Sequence, residues 1–225
     1  MKTKLSVNVN KIATLRNSRG QNIPNLLKVV QDIEKYGCDG ITIHPRPDQR
    51  HIKYKDAMDL SKIVKSEFNI EGNPINKFME LVLKIKPTQV TLVPDGINNI
   101  TSNSGWDTIK NSEFLYKKIQ VLKSCGIRTS IFVNPDPKMI KGAFEIGADR
   151  IELYTYYYAH QFNIDKKKAI SDYCQSAKEA NKLGIGINAG HDLNLLNIAF
   201  FKEKIPNLLE VSIGHALITE SLYEG

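Results

Sequence analysis

Short apolar runs alternate with longer amphipathic stretches along the sequence. A brief run rich in Val and Ile is typical of a strand in a parallel sheet, whereas apolar residues that recur every three or four positions predict a helix. Runs of the first kind predict eight strands, at 5–8, 41–43, 68–71, 89–93, 128–133, 150–154, 185–188 and 209–213. Helices are predicted between them at 24–36, 55–66, 75–85, 108–124, 138–146, 166–183 and 195–204.

Three connections and the end of the chain need separate predictions. A polar loop is predicted after the first strand, through Gly20, and a longer polar loop at 95–107. Residues 156–158, three consecutive tyrosines, are predicted to lie in an aromatic loop. Only residues 216–225 follow the eighth strand, which predicts a shortened chain or a short closing stub in place of a full final helix.

The alternation of strands and helices favours an α/β fold, a (β/α)8 TIM barrel formed by residues 1–225 as one domain. An open doubly wound sheet is the alternative. It is less well supported, because no GxGxxG motif follows the first strand. No linker or low-complexity tract indicates a second domain.

Charge and composition exclude some classes of protein. No apolar run approaches the roughly 20 residues of a membrane span, and the first residues lack a signal-peptide core, so we expect a cytoplasmic protein. The net charge of +7 leaves a nucleic-acid-binding module open, but the lysines are scattered and form no aromatic and basic stripe. Three separated cysteines, Cys38, Cys125 and Cys174, argue against disulfides and a zinc site.

Polar side chains cluster where predicted strands end. Four of the five histidines follow the second, seventh and eighth strands, at His44, His51, His191 and His215. Glu71 ends the third strand in the same way. Because the carboxyl ends of barrel strands converge on one face, we expect these side chains to share one mouth. His160 receives no role.

The seventh and eighth strands both end in a Gly-His pair, within residues 188–192 and 212–216. Accessible backbone N–H groups beside glycine, followed by a helix start, suit a phosphate, and these two loops are the usual phosphate site of such a barrel. A turn glycine beside a hydrogen-bonded histidine is the simpler alternative.

Two glutamates on strands, Glu71 and Glu152, are costly in a barrel interior unless they are paired or used. Each could pair with a basic neighbour such as Arg150, or each could move protons in catalysis. No HxH motif or carboxylate pair has ligand spacing, so no metal site is predicted. The strand interiors also carry no lysine for a Schiff base.

Five stretches carry a family resemblance: residues 8–20, Gly40-Ile-Thr-Ile-His-Pro-Arg46 with Arg50-His51, Asn69-Ile-Glu71, Asn188-Ala-Gly-His191 and Ile213-Gly-His215. In this order they resemble the pyridoxine 5'-phosphate synthases, the deoxyxylulose-dependent family of vitamin B6 biosynthesis. The resemblance covers essentially the whole chain. It implies a cofactor-free condensation of 3-amino-2-oxopropyl phosphate with 1-deoxy-D-xylulose 5-phosphate to pyridoxine 5'-phosphate, inorganic phosphate and water.

The resemblance also implies a role for each matching residue. His44 and Glu71 would be general bases, His191 the general acid, and Glu152 would stabilise the transition state. The amino-ketone phosphate would be held by Asn8, Arg19, Asp192, Gly214 and His215. The deoxyxylulose phosphate would be held by Arg46, His51 and Thr101, with the long fourth loop closing over it.

This chain departs from the family pattern at three places. Asn10-Lys11 stands where many members have Asp-His, and Asp192 where glycine is common. Relatives usually continue past Gly225 through a helix linked to an octamer built from dimers, so a homo-oligomer is expected here. Another phosphosugar isomerase or lyase, or a non-catalytic shortened subunit, remains an alternative function.

Overall fold

The computed structural model describes residues 2–96 and 102–225. Parallel strands pair in chain order and close into a barrel, because the eighth strand pairs with the first. Alternation of strands with covering helices produces this architecture, and the barrel prediction is confirmed. The strands are β1 Lys4–Asn8, β2 Gly40–Ile43, β3 Glu67–Gly72, β4 Gln89–Leu92, β5 Arg128–Val133, β6 Arg150–Tyr154, β7 Gly186–Gly190 and β8 Leu208–Ile213.

Helices surround the barrel and bury their apolar faces against the outward side chains of the strands. In the described residues they are α1 Asn10–Asn17, α2 Leu26–Lys35, α3 Tyr54–Leu60, α4 Asn76–Ile85, α5 Ser112–Ser124, α6 Pro137–Glu145, α7 Tyr156–Leu183, α8 Ile198–Lys204 and α9 His215–Glu224. None of these helices is long and apolar enough to cross a bilayer.

The prediction of a polar loop after the first strand was wrong, because α1 occupies most of it. This helix is short and largely polar, so its apolar period is hard to read in the sequence. Arg16 anchors it by a double ion pair with Asp56 of α3, at 2.7 and 2.8 Å. A contact between residues 40 positions apart therefore stabilises the helix.

The predicted aromatic loop at 156–158 is also wrong, because these tyrosines form the first turn of α7. Tyr158 is fully buried, and its hydroxyl donates to the carbonyl of Asn197 at 2.6 Å. The helix bends at Asp165, whose side chain accepts from the N–H groups of Lys167 and Lys168. Asp165 thus caps a second helical segment inside the same element.

The last element, α9, corrects the prediction that too little chain remains for a full helix. It has ten residues, as many as α2 and α4, and it begins directly at His215. None of its residues is fully buried. The chain therefore continues after the eighth strand in a real helix, which is half-buried at 216–220 and exposed from 221 onward.

The barrel interior is polar. Ser6 and Thr42 share a hydrogen bond of 2.7 Å, and Asn69 donates to the same threonine hydroxyl. Thr91 continues the chain of contacts from Asn69 to Glu152. Since buried polar groups are costly without partners, this side-chain network is what allows a polar interior. The strands therefore alternate polar and apolar positions rather than being apolar throughout.

Candidate active site

The first two strands are joined at the barrel mouth through two asparagines. The backbone N–H of His44, directly after β2, donates to the side-chain oxygen of Asn10 at 2.9 Å. The backbone N–H of Asn10 in turn donates to Asn8 at the end of β1, at 3.0 Å. Asn10 thereby fixes the backbone of His44, and the oxygen of its neutral amide is sufficient for this contact.

His44 and Glu71 lie side by side at the ends of β2 and β3. His44 Nδ1 is 3.9 Å from Glu71 Oε2, and both side chains are almost completely buried. Burial, reinforced by the charge of Arg46, holds the pKa of His44 well below its usual range. Burial and the charge of Glu152 raise the pKa of Glu71 well above its usual range. Both shifts favour a neutral imidazole beside a carboxylic acid over a salt bridge.

Glu152 lies on β6, facing the same interior. Burial and the nearby Glu210 carboxylate raise its pKa to about 8, against a hydrogen bond from Thr91 that favours the ionised form. Arg150, its possible partner from the sequence, is 3.4 Å from Glu210 instead. A Cβ at Gly190 would lie 2.3 Å from Glu152 Oε1, so only glycine leaves room for this carboxyl group.

The raised pKa of Glu152 predicts a pH-dependent effect of Glu152→Gln on stability. The unfolded chain releases this proton near its ordinary value of 4.5 and the folded chain only near 8, so the free energy of unfolding falls as pH rises through this window. We expect Glu152→Gln to be more stable than wild type by about 1–3 kcal/mol at pH 9, because no buried charge has to form. At pH 4 to 5 the gain should vanish.

Urea unfolding at the two pH values measures this difference. Glu113→Gln on α5 is the matched control, because the ion pair with Lys117 lowers the pKa of this exposed carboxyl group. It should give no gain at high pH. Equal destabilisation of Glu152→Gln at both pH values would contradict the prediction.

A cluster of positive charge surrounds His51. Burial and the charges of Arg46 and Lys11 lower the pKa of His51 to about 4, so its ring is neutral at neutral pH. Its Nδ1 accepts from the backbone N–H of Ile52 at 2.9 Å, which leaves the proton of the neutral ring on Nε2. An N–H donor beside two cations suits an anion such as phosphate.

Arg46 is oriented by the carboxylate of Asp95, which was not among the predicted site residues. Its guanidinium is 2.5 Å from Asp95, which follows β4, and both side chains are buried. Ser102 donates to the same carboxylate oxygen at 2.7 Å, and Tyr154 donates to the carbonyl of Ser102 at 3.0 Å. These bonds tie residues on both sides of 97–101 to β6. The sequence signal for Asp95 was its position, directly after Pro94, which follows the predicted apolar strand at 89–93.

His191 lies on the β7 side of the mouth. Its ring meets the edge of Tyr154 at a centroid distance of 5.0 Å, and its Nδ1 is 2.7 Å from the carboxylate of Asp192. His191 and Asp192 have positive φ angles, +82° and +56°, which non-glycine residues seldom adopt. The Thr155 hydroxyl donates to the carbonyl of Gly190 at 2.7 Å and also to that of His191.

Gly214 brings β8 against the end of β1. A Cβ at this position would lie 2.6 Å from the carbonyl oxygen of Asn8, so the glycine is required for the close approach. The ten-residue helix α9 starts immediately afterwards at His215. N–H groups at the start of a helix, beside an imidazole, suit an anion, so this geometry is compatible with the predicted phosphate site. At β7 the corresponding helix, α8, starts only at Ile198.

One series of contacts runs along the mouth from Asn8 through Asn10 and His44 to Glu71. A second runs from Arg46 through Asp95, Ser102 and Tyr154 to His191. Arg19 is exposed in the turn after α1 and makes no described contact with the other predicted site residues. Thr101 lies outside the described residues. His160 is exposed, against Tyr156. No group of three possible metal ligands occurs in the described parts of the chain.

Comparison with known proteins identifies the family to which this barrel belongs. The family model described as pyridoxal phosphate biosynthesis protein PdxJ matches residues 5–225. The chain belongs to the PdxJ family. The resemblance seen in the sequence motifs is thereby confirmed.

Individual PdxJ relatives match almost the full length. The pyridoxine 5'-phosphate synthase of Flavobacterium johnsoniae is 64% identical over 223 residues, which cover 99% of this chain and 94% of that protein. The enzyme of the same name from Cytophaga hutchinsonii is 60% identical with the same coverage. Among solved structures, a thiamine phosphate pyrophosphorylase from Pyrococcus furiosus has a TM-score of 0.61 at 12% identity, covering 96% of this chain and 87% of that chain. At this low identity, the similarity to the Pyrococcus furiosus protein shows the fold alone.

Proposed function

We propose that this protein is a pyridoxine 5'-phosphate synthase, a ring-closing enzyme that works without a cofactor. Its substrates are 3-amino-2-oxopropyl phosphate and 1-deoxy-D-xylulose 5-phosphate, and its products are pyridoxine 5'-phosphate, inorganic phosphate and water. One observation carries the proposal beyond family membership: the His44 imidazole and the Glu71 carboxyl group lie 3.9 Å apart, both almost completely buried, at the mouth of a polar barrel. That pairing supplies a base and an acid for repeated proton transfers.

Two anion-suited places support a reaction between two phosphorylated molecules. Gly214 and His215, at the start of α9, would hold the phosphate of the amino ketone together with Asn8. Arg46 and His51 would hold the phosphate of the deoxyxylulose on the other side of the mouth. Thr101 and Arg19 stay in the proposal as further ligands.

Proton handling follows from the charge state of the buried groups. His44, neutral because of burial and Arg46, is ready to accept a proton from a substrate hydroxyl or carbon. Glu71 carries its own proton until a positive charge arrives beside it. The substrate amine adds to the ketone carbon, and a proton from Glu71 lets the resulting hydroxyl group leave as water. The cationic imine so formed would keep the Glu71 carboxylate ionised beside it, ready to act as a base.

The other two groups, His191 and Glu152, would protonate a leaving group and stabilise positive charge. His191 would give a proton from its imidazolium ring to a departing oxygen, which then leaves as water. Glu152, buried in the barrel interior, would become ionised when positive charge develops in the transition state and so stabilise it.

Incubation of the purified protein with both substrates tests the proposed function. We expect pyridoxine 5'-phosphate and inorganic phosphate in equal amounts, detected by mass spectrometry and a phosphate assay, and no product when either substrate is omitted. Conversion of one phosphosugar alone would favour the isomerase or lyase alternative. Binding of both substrates without turnover would favour a non-catalytic subunit.

We also propose a cytoplasmic homo-oligomer, an octamer built from dimers, that binds no nucleic acid. Exposed apolar side chains support association, among them Leu195 and Leu196 before α8 and Leu222 and Tyr223 on α9. Sedimentation at equilibrium should give eight times the 25.4 kDa mass of the chain.

A further inference from the structure

The strained turn after β7 holds a carboxylate against the ring of His191. The distance from His191 Nδ1 to Asp192 Oδ2 is 2.7 Å, within the range of a charge-assisted hydrogen bond. Both side chains are largely shielded, with exposed fractions of 22% and 29%, so solvent screens the contact only in part.

Surrounding residues fix this turn in place. The Asn197 side chain donates to the backbone carbonyl of Asp192 at 3.2 Å, and Thr155 donates to the two carbonyls before it. These contacts hold His191 and Asp192 at positive φ angles, where a side chain is normally disfavoured. Backbone strain that surrounding contacts maintain in this way clusters at functional sites. The strained turn therefore indicates that the position of the Asp192 carboxylate is functional.

The charges around Asp192 favour its ionised form. Burial alone would raise the pKa of Asp192, but the hydrogen bond and charge of His191, with His160 and His215 nearby, leave it below the ordinary value. The rings of Tyr154 and Tyr156 also contact the ring of His191. Asp192 is therefore an anion that can only accept a hydrogen bond.

We propose that Asp192 is a positioning residue for His191, which fixes the proton of the neutral ring on Nδ1 and aims Nε2 at the substrate. This role rests on the proposed function of His191 as general acid. The proton then leaves from Nε2 to the departing oxygen, and the neutral ring that remains keeps its Nδ1–H on the carboxylate. No further reactant is needed. Asp192 is thereby given a role other than holding the amino-ketone phosphate.

Two variants test the role of Asp192. Asp192→Gly removes the acceptor and suits a positive φ, so we expect the protein to fold; Asp192→Asn keeps the shape and removes the charge. For Asp192→Gly, kcat should fall by about 10-fold to 100-fold, the range typical when a histidine that binds a metal loses the partner that orients its ring, while KM for both substrates changes by less than about 3-fold. Asp192→Asn should lie between this variant and wild type.

A spectroscopic readout is independent of activity. Solid-state ¹⁵N spectra of histidine-labelled protein, with the His191 signals identified by their loss in His191→Asn, should show neutral His191 protonated on Nδ1 in wild type and as a mixture of tautomers in Asp192→Gly. Glu220→Gln, which replaces another carboxylate near this loop, is the control and should change neither readout.

The possible failures are distinguishable. If wild type makes no pyridoxine 5'-phosphate, the proposed function fails, while the tautomer can still be measured. An unchanged kcat in Asp192→Gly, an unchanged ¹⁵N spectrum, or an effect confined to KM for one phosphate substrate would each overturn the positioning role.

Discussion

Glu71→Gln should lower kcat by about 100-fold or more, the usual range for losing a general acid or base. Gln keeps the size of the side chain but cannot exchange a proton, so the site retains its shape and loses only the transfer step. The contact with His44 at 3.9 Å is not an ion pair, and its loss leaves no uncompensated charge. Substrate KM values should therefore change by less than about 3-fold. Steady-state kinetics with both substrates measures this.

Glu67→Gln is the matched control for Glu71→Gln. Both residues lie on β3, but Glu67 is at the opposite end of the strand, where it pairs with Lys4 and Arg128. The same chemical change there should leave kcat within about 2-fold of wild type, although stability can fall. If Glu71→Gln turned over as fast as this control, the assigned role of Glu71 would be refuted.

The regular parts of the barrel could be predicted from the sequence because they depend on local patterns. Strands β5 and β6 have the predicted bounds, and the other six differ by one or two residues at their ends. Helix α1 could not be predicted, because its stability depends on Arg16 meeting Asp56 in three dimensions. The tyrosines of α7 were misleading, because consecutive aromatic residues have no helical period of their own.

The site was only partly predictable for the same reason. Position after a strand identified His44 and Glu71, since the barrel brings all strand ends together. That rule gives no side-chain direction, so it could not predict that Asp95 orients Arg46 or that Asp192 turns toward His191. The alternation of polar and apolar strand positions was a signal for the polar interior, as in Ser6 and Asn8, and it was available in the sequence.

His191→Asn should also lower kcat by about 100-fold or more, because an amide cannot deliver a proton to a leaving oxygen. Asn tolerates positive φ angles, so the turn at +82° should persist. Its side chain can still donate to Asp192. We therefore expect a folded protein with substrate binding close to that of wild type. His160→Asn is the control, because His160 is exposed against Tyr156 and has no assigned role.

A double substitution separates the two roles within this turn. If Asp192 acts only by positioning His191, then adding Asp192→Gly to His191→Asn should lower kcat by no more than about 2-fold, because the group to be positioned is already gone. If the two losses multiplied, Asp192 would act on the reaction independently. A wild-type rate in His191→Asn alone would instead mean that another group at the mouth is the general acid. Rates of all four proteins under the same substrate concentrations distinguish these cases.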